Sequence, residues 1–309
     1  MKKIVISEFM DEAAVDTLRE RFQVRYDATL VDQPECLAAE LADAHALIVR
    51  NRTQVSAPLL QTATQLGVVG RLGVGLDNID MPACVARNIA VFPATGANAQ
   101  AVAEYVIAAS LMLLRGAYLR SADVAAGEWP RQVLSNGREA AGSVLAVIGF
   151  GGIGQRVARL ARGLGMAVVG YDPQQPADAS CWNETGARCM VLEEALAAAD
   201  VITLHVPLTD LTRNLLDARR IGLMKPGAIV INTARGGSID ESALAAALQE
   251  KRLAGAALDV FSDEPLRAGS PLAAVPNLIL TPHIAGLTVQ SNERVSSLVA
   301  ALVAAALAE

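Results

Sequence analysis

The sequence contains few cysteines and few aromatic residues. Its 309 residues include four cysteines, and aromatic side chains make up 4% of the chain. The cysteines have no CxxC spacing and, with three histidines in the chain, complete no zinc-ligand pattern; they are Cys36, Cys84, Cys181 and Cys189. We therefore expect no metal site and no disulfide framework. Free thiols are typical of proteins in the reducing cytoplasm.

The chain also lacks an excess of positive charge and a long hydrophobic run. Its formal net charge is −6, whereas a nucleic-acid-binding protein usually carries a basic stripe. The longest apolar run, Leu298 to Ala308, is too short at about 1.5 Å per residue to cross a hydrocarbon core about 30 Å thick. The apolar segment after Lys3 is too short for a signal peptide. We expect a soluble protein without a nucleic-acid or membrane partner.

Aliphatic residues are abundant, and strand-like and helix-like patterns alternate along the chain. Hydrophobic residues make up 52% and charged residues 19%, which is typical of globular proteins. Strands are predicted at residues 4–6, 46–49, 66–69, 91–92, 145–148, 167–171, 201–204, 228–231, 255–258 and 278–280. Helices are predicted at residues 11–22, 98–114, 153–162, 193–199, 241–250 and 288–307. This alternation predicts an α/β protein with parallel sheets.

The length and the order of these elements predict two domains, because a domain usually has roughly 100–200 residues. A polar, turn-rich stretch at residues 127–131 follows the long apolar helix, and a second strand–helix series begins after it. The last helix follows the final strand and has no strand of its own to cover. We therefore expect a discontinuous first domain, residues 1–97 plus 282–309, and a second domain of residues 98–281.

A glycine-rich turn follows the strand predicted at residues 145–148. The sequence Gly149-Phe150-Gly151-Gly152-Ile153-Gly154 fits GxGxxG and opens a predicted helix, which is the context that dinucleotide binding requires. Gly149 permits the tight turn, Gly151 lets the backbone approach a pyrophosphate, and Gly154 lets the helix pack close to the strand. The phosphates would then lie at the positive end of the helix dipole.

Asp172 ends the next predicted strand. A carboxylate about 20 residues beyond the glycine motif accepts hydrogen bonds from the adenosine ribose hydroxyls. The same carboxylate would repel a 2′-phosphate. The sequence therefore predicts NAD rather than NADP as the cofactor.

Arg235, Glu264 and His283 each follow a later predicted strand. Ligands of open α/β sheets bind outside the carboxyl ends of the strands, so these residues can share one site. Reduction of a 2-keto acid needs a cation for the carboxylate, and Arg235 offers a bidentate fork. It also needs a proton donor for the carbonyl oxygen. His283 is suited to this role, and Glu264 can orient the His283 ring. We predict an NAD-dependent oxidoreductase that transfers a hydride between nicotinamide and C2 of a small 2-hydroxy or 2-keto acid.

Several motifs occur in one order along nearly the whole chain, at residues 70–80, 149–154, 232–237, 257–265 and 281–283. In these motifs the chain resembles the D-isomer-specific 2-hydroxyacid dehydrogenase family. Within the family it is similar to the phosphoglycerate dehydrogenase branch, and a resemblance to sulfolactate dehydrogenases is the alternative. The resemblance implies a flavodoxin-like substrate domain and a Rossmann NAD domain, both doubly wound, with a cleft between them. It also implies a homodimer and the catalytic roles already given to Arg235, Glu264 and His283.

The resemblance further implies which residues contact the ligands. Backbone amides of Leu72, Gly73, Val74 and Gly75 would bind the substrate carboxylate, and Asp259 would contact the nicotinamide carboxamide. Further cofactor contacts are expected from Val74, Gly152, Ile153, Val206, Pro207, Thr233, Ala234, Arg235, His283 and Gly286.

Recognition of the substrate's side chain is expected from Arg50, Asn51 and Arg52, which follow the strand at residues 46–49. Phosphoglycerate dehydrogenases have a similar stretch on the phosphate side of their substrate. Arg131, of the same subunit or of the partner subunit, would add a cation, and Asn98 could hydrogen-bond an oxyanion. This predicts an anionic tail, as in 3-phosphoglycerate or sulfolactate. Glyoxylate and hydroxypyruvate are the alternatives, because the arginines can instead form surface ion pairs.

A binding protein of another class is also compatible with these motifs. An NAD(H)-sensing corepressor of the same family would bind the dinucleotide and a partner, with turnover incidental. The sequence has neither a basic DNA-binding stretch nor an extended tail to support that reading. NADH oxidation with a panel of 2-keto acids distinguishes the two.

Overall fold

A computed structural model describes residues 1–116, 118 and 120–308. The strands are β1 (Lys3–Ile6), β2 (Gln23–Tyr26), β3 (Ala46–Val49), β4 (Val68–Arg71), β5 (Ala90–Pro93), β6 (Val144–Ile148), β7 (Ala167–Tyr171), β8 (Arg188–Cys189), β9 (Val201–Leu204), β10 (Ala228–Asn232), β11 (Leu253–Leu258) and β12 (Leu278–Leu280). Most are short aliphatic runs buried on both faces, as parallel strands covered by helices usually are.

The helices connect these strands. They are α1 (Glu12–Arg19), α2 (Pro34–Leu41), α3 (Ala57–Thr62), α4 (Met81–Ala86), α5 (Ala99–Arg115), α6 (Ser121–Ala125), α7 (Arg131–Leu134), α8 (Gly152–Gly163), α9 (Ser180–Thr185), α10 (Leu192–Ala198), α11 (Ala218–Leu223), α12 (Glu241–Gln249) and α13 (Val289–Ala308), with a 3-10 turn at Leu30–Asp32. Asp80, Asp217 and Asp240 accept backbone amides at the starts of α4, α11 and α12, which fixes where these helices begin. Within the described residues, no helix combines the length and the apolarity that crossing a bilayer requires.

The first compact unit comprises residues 1–98 and 287–309. Its parallel sheet has the order β2-β1-β3-β4-β5, which is the flavodoxin-like order. Helices α1 and α13 pack on one face, and α2, α3 and α4 pack on the other. Gly70 of β4 permits the close approach of α13, because an added Cβ would lie 2.6 Å from the side chain of Val299 and 2.8 Å from that of Val303.

The second compact unit comprises residues 99–286. Its parallel sheet has the order β12-β11-β10-β9-β6-β7-β8. The chain runs outward from β6 through β7 to β8, returns to β9 beside β6, and then runs outward to β12. Helices α5 and α8 pack on one face, and α10, α11 and α12 pack on the other. The strand order therefore reverses between β6 and β9.

The predicted α/β class with two doubly wound parallel sheets is confirmed. Strand β4 lies two residues later than predicted, and β2 and β8 were not predicted. The second compact unit ends at Gly286, and the expected domain boundaries at residues 97 and 281 stay a prediction. Residues 284 and 285 are bound to this unit, because the buried Asp259 carboxylate accepts the backbone amides of Ile284 and Ala285.

Candidate active site

The loops that carry most of the expected functional residues lie at one edge of the second unit's sheet. Its strands are all parallel, so their carboxyl ends share this edge. The loops after β6, β7, β9, β10, β11 and β12 leave from it. Where the strand order reverses, between β6 and β9, neighbouring loops diverge and leave a crevice in which α/β proteins bind ligands.

The glycine loop (residues 149–154) connects β6 to α8. Gly149 has a φ of 93°, and a Cβ there would lie 2.5 Å from the carbonyl oxygen of His205. A Cβ on Gly154 would lie 2.2 Å from the carbonyl oxygen of Gly149. Around Gly151 and Gly152, by contrast, the described residues leave the space beyond an added Cβ open. The loop is therefore close-packed toward the sheet and open above the first turn of α8.

Asp172 lies beside this loop at the end of β7. Its Oδ2 accepts the Phe150 amide at 2.8 Å, and its Oδ1 accepts the Gln174 amide at 2.9 Å. The Phe150 bond fixes the carboxylate against the glycine loop, and the Gln174 bond fixes it to the turn that follows β7. Each oxygen retains a second lone pair that can accept a hydroxyl hydrogen.

The turn that follows β10 is fixed by Asn232. The Asn232 side chain accepts the Ala234 amide at 3.0 Å and donates to the Arg235 carbonyl at 2.9 Å. The Arg235 guanidinium also donates to the Ala234 carbonyl at 2.6 Å. A Cβ on Gly236 would lie 1.7 Å from the carbonyl oxygen of Phe261, so only glycine fits there. The Arg235 turn therefore contacts the loop that carries Glu264.

Glu264 and His283 form a direct pair. Glu264 Oε2 lies 2.8 Å from His283 Nδ1, and Glu264 Oε1 accepts the Phe261 amide at 3.1 Å. Burial opposes ionisation of Glu264 most strongly, but the hydrogen bond and charge of His283, the Phe261 amide and the Arg235 charge together hold its pKa below the ordinary value. The side chains of His283 and Glu264 keep 42% and 36% of their surface exposed, so solvent screens the pair and a ligand can reach it.

The histidine loop (residues 281–286) is organised by Asp259. Asp259 Oδ1 accepts the Thr281 hydroxyl at 2.6 Å and the Ile284 amide at 2.8 Å, and Oδ2 accepts the Ala285 amide at 2.7 Å. The Asp259 carbonyl accepts the His283 amide at 2.9 Å. His283 has a φ of 56°, a left-handed conformation that costs about 1 kcal/mol or more and persists only where the surroundings impose it.

The same residues limit what Asp259 can contact. Asp259 is 1% exposed, and its carboxylate is already engaged within the histidine loop. Its contact with the nicotinamide carboxamide therefore stays a prediction, whereas its contact with the loop that carries His283 is direct. Sequence reasoning missed this positioning role, and also that of Asn232. The available signal was the same for both, a polar residue at the end of a buried strand.

The sheet edge fits a dinucleotide. The glycine loop leaves open space above Gly151 and Gly152, and the amides at the start of α8 point toward it. The Thr233 hydroxyl is buried and, within the described residues, has no hydrogen-bond partner. A buried polar atom without a partner is costly, so a ligand is the natural occupant beside it. Val206 and Pro207 follow β9 at the same edge, and Val206 Cγ1 would lie 3.0 Å from a Cβ on Gly149.

The first unit contains the turn expected to bind the substrate carboxylate. The Leu72 amide donates to the Val49 carbonyl at 2.8 Å, and the Gly73 amide donates to the Arg71 carbonyl at 2.8 Å. Two of the four expected amides are thus already engaged. The amides of Val74 and Gly75 therefore stay the predicted donors to the substrate carboxylate.

The residues expected at the substrate's tail have varied surroundings. Arg52 forms an ion pair with Asp32, and both side chains are 59% exposed. Arg50 donates to Asn292 Oδ1 at 2.8 Å. Asn51 is exposed on the same loop. The two remaining candidates lie elsewhere: Asn98 has a buried Oδ1 without a partner among the described residues, and Arg131 is exposed at the start of α7.

A family model for the NAD-binding domain of D-isomer-specific 2-hydroxyacid dehydrogenases matches residues 107–285, which is more than half of the chain. The chain belongs to the D-isomer-specific 2-hydroxyacid dehydrogenase family. The match includes the glycine loop, the Arg235 turn, Glu264 and His283. The expected family is therefore confirmed, together with NAD as the cofactor of its matched domain.

Three comparisons describe the relatives of this family member. The chain is 54% identical over 296 residues to (S)-sulfolactate dehydrogenase of Chromohalobacter salexigens, covering 96% of this chain and 95% of that protein. It is 40% identical to D-3-phosphoglycerate dehydrogenase 2, chloroplastic, of Arabidopsis thaliana, covering 99% of this chain but 48% of that protein. The crystal structure of D-lactate dehydrogenase from Aquifex aeolicus with NAD and lactic acid superposes with a TM-score of 0.85 at 30% identity, covering 99% of this chain and 96% of that one.

Proposed function

We propose that the chain catalyses reversible hydride transfer between NAD(H) and C2 of a small 2-hydroxy or 2-keto acid that carries an anionic tail. The observation that carries the proposal is the 2.8 Å contact between His283 Nδ1 and Glu264 Oε2, beside the Arg235 turn and on the same sheet edge as the glycine loop. An acid/base group, a cation and a dinucleotide cradle are the parts that this reaction requires. NAD-dependent 2-hydroxyacid oxidoreduction is the chemistry of the family.

In this proposal the protein supplies the proton and fixes the substrate. The bound dinucleotide supplies or accepts the hydride. Glu264 accepts the hydrogen on His283 Nδ1, so Nε2 is the nitrogen that exchanges a proton with the substrate oxygen. In reduction, Nε2 donates its proton as the carbonyl oxygen becomes a hydroxyl; in oxidation, it accepts that proton. The Glu264 carboxylate stabilises the positive imidazolium in both directions.

We assign the substrate carboxylate to Arg235. A guanidinium binds a carboxylate through two parallel hydrogen bonds, which also fixes the orientation of the adjacent C2. Asn232 fixes the backbone of the Arg235 turn, so the position of the guanidinium is set before the substrate arrives. We propose that the amides of Val74 and Gly75 are further donors to the same carboxylate.

We assign the substrate's tail to residues 50–52. The relative that is 54% identical is named for sulfolactate, and that at 40% for 3-phosphoglycerate; both compounds carry a second anionic group. Arg50 and Arg52 offer two cations within three residues. Sulfolactate is our first candidate, because the match to the more similar relative covers 96% of this chain and 95% of that protein, and 3-phosphoglycerate is the second.

The test is reduction of four 2-keto acids by NADH. We expect kcat/KM to be higher for sulfopyruvate and phosphohydroxypyruvate than for glyoxylate and hydroxypyruvate. In Arg52→Ala, kcat/KM for the two substrates with an anionic tail should fall by about tenfold or more, because a charge-assisted hydrogen bond is worth roughly 1.5–3 kcal/mol. Arg19→Ala is the matched control, since Arg19 is also an exposed arginine in an ion pair, with Asp16. Equal losses on all four substrates would refute the assignment of the tail.

We also propose a homodimer that forms through the segment from α5 to α7. Five large apolar side chains in this segment are exposed, Leu111, Met112, Val124, Trp129 and Val133. A monomer rarely exposes so many large apolar residues in one segment. Trp129 is 79% exposed, so Trp129→Asp should convert a dimer into a monomer in light scattering. Val85→Asp is the control, because Val85 is 69% exposed outside the segment. A dimeric Trp129→Asp would contradict the proposed interface.

We place the enzyme in the cytoplasm. The support is that all four cysteines are free thiols in the structure, one of them exposed and two buried. Free thiols persist in a reducing compartment. Cell fractionation with an antibody to the chain tests this location, and enrichment in a membrane or secreted fraction would contradict it.

A further inference from the structure

A buried carboxylate lies beneath the loop to which we assign the substrate's tail. Glu8 follows β1, is 4% exposed and accepts four backbone amides of one loop. Its Oε1 accepts the amides of Arg50 at 2.8 Å and Thr53 at 3.0 Å, and its Oε2 accepts those of Arg52 at 3.1 Å and Asn51 at 3.3 Å. We call residues 50–53 the arginine loop.

We infer that Glu8 is a positioning residue for substrate specificity, which fixes the arginine loop so that its cations meet the substrate's anionic tail. The inference rests on the proposed function, specifically on the assignment of the tail to residues 50–52. Nothing in the catalytic pair of Glu264 and His283 requires Glu8. Its loss should therefore affect the recognition of the tail and not the chemical step.

The geometry favours a positioning role over a purely structural one. Consecutive amides that converge on one anion form a nest, and four such bonds leave the loop backbone little freedom. The amides point to Glu8, while the side chains of Arg50 and Arg52 are directed elsewhere, to Asn292 and Asp32. A fixed backbone below an exposed Arg52 and a half-buried Arg50 is the arrangement that a preorganised binding site requires.

Two further contacts fix the same loop. The Ser7 and Thr53 hydroxyls lie 2.9 Å apart, and Asn78 Nδ2 donates to the Thr53 carbonyl at 2.7 Å. Ser7, Thr53 and Asn78 are all buried. The end of the loop is thus held from both sides. At residues 50–52 Glu8 accepts three backbone amides, while the carbonyls of Arg50 and Arg52 accept weaker bonds from Asn78 Nδ2 at 3.4 Å and Gln54 Nε2 at 3.2 Å.

Glu8 also acts on the charge of Arg50. Burial of the Arg50 guanidinium lowers its pKa from the ordinary value, and the negative charge of Glu8 acts in the opposite direction. The Arg50 guanidinium lies 5.7 Å from the centre of the Phe9 ring, a further contact that favours a cation. Glu8 therefore supports both the position and the charge of this arginine.

The test is Glu8→Gln, which preserves the shape of the side chain. The new NH₂ group faces two backbone N–H groups that the carboxylate accepted, so two of the four hydrogen bonds are lost. We expect the ratio of kcat/KM for sulfopyruvate to that for glyoxylate to fall by about tenfold or more, mainly through KM for sulfopyruvate, because one such bond is worth about tenfold in affinity. The kcat/KM for glyoxylate and the Kd for NADH should each stay within about threefold of wild type.

Glu20→Gln is the matched control, because Glu20 is an exposed glutamate at the end of α1. It should leave the ratio of kcat/KM for sulfopyruvate to that for glyoxylate unchanged. If Glu8→Gln lowers kcat/KM for both substrates equally, Glu8 only maintains the fold and the inference is wrong. If wild type shows no preference for the substrate with a tail, the proposed function fails first. Should Glu8→Gln not fold, Ser7→Ala removes one loop contact and should lower the same ratio about threefold; an unchanged ratio would overturn the inference.

Discussion

Asp259→Asn is the substitution whose consequences the structure specifies in most detail. The carboxylate is 1% exposed and accepts three hydrogen bonds from the histidine loop, from Thr281, Ile284 and Ala285. In the asparagine variant at least one of these donors would face an NH₂ group, and the remaining bonds would lose the help of the charge. An unsatisfied buried donor costs about 1–3 kcal/mol, so we expect the free energy of unfolding to fall by about 2–4 kcal/mol.

The same change should reach the chemical step, because the histidine loop holds His283 in a left-handed conformation. A displacement of about 1 Å at a reacting group can cost about a hundredfold in rate, so we expect kcat to fall by about that factor. Urea unfolding and single-turnover NADH oxidation measure the two effects separately. The control is Asp263→Asn, the same substitution at an exposed site four residues along the chain. A destabilised Asp259→Asn enzyme with kcat within about threefold of wild type would refute the reasoning.

Three further predictions concern other parts of the site. Glu264 has a lowered pKa and stays charged through neutral pH, so Glu264→Gln removes the negative charge beside His283 and should lower kcat/KM for reduction at neutral pH by about fivefold to tenfold, since solvent screens the pair. A kcat/KM within about twofold of wild type would contradict this. Burial lowers the pKa of His205 to about 3, so the unfolded chain binds a proton below about pH 6.5 that the folded chain does not, and stability should fall by about 1–2 kcal/mol between pH 6.5 and 5. His205→Gln should flatten that slope in urea titrations, and a persistent slope would assign it to other groups. Gly236→Ala should lower kcat/KM about tenfold or more, because the new Cβ would lie 1.7 Å from the Phe261 carbonyl oxygen. Gly222→Ala is the control and should leave kcat/KM close to that of wild type, because the described residues leave the space beside Gly222 open.

Periodicity and turn residues were sufficient to predict most of the fold. Strands β3, β7, β9 and β12 have the predicted bounds. Strands β3, β9 and β12 are short aliphatic runs between polar residues, and β7 is followed by the polar Asp172. Strand β2 was not predicted, since its residues, Gln23 to Tyr26, alternate between exposed and half-buried at the edge of the sheet. Strand β8 has only two residues, and it forms by pairing with β7 rather than by its own pattern.

The candidate site was predictable where a residue's chemistry is unusual at the end of a strand. Arg235, Glu264 and His283 were proposed as site residues in this way, the glycine loop was proposed from its GxGxxG spacing, and their roles stay predictions. The positioning role of Asn232 was missed although its bond to the Ala234 amide is local. The roles of Asp259 on the histidine loop and of Glu8 on the arginine loop were missed because each acts through backbone amides of a segment distant along the chain. Such bonds depend on tertiary structure, and spacing along the chain does not reveal them.

The central claim is that His283, Glu264 and Arg235 serve hydride transfer to a 2-keto acid. The most direct measurement is NADH oxidation by the purified chain with sulfopyruvate, phosphohydroxypyruvate, hydroxypyruvate and glyoxylate, in wild type and in His283→Ala. We expect one NADH to be consumed for each 2-hydroxy acid formed, with kcat in His283→Ala lower by about a hundredfold or more while the Kd for NADH stays close to wild type. Tight NADH binding without turnover of any of the four acids would contradict the account and favour a dinucleotide sensor.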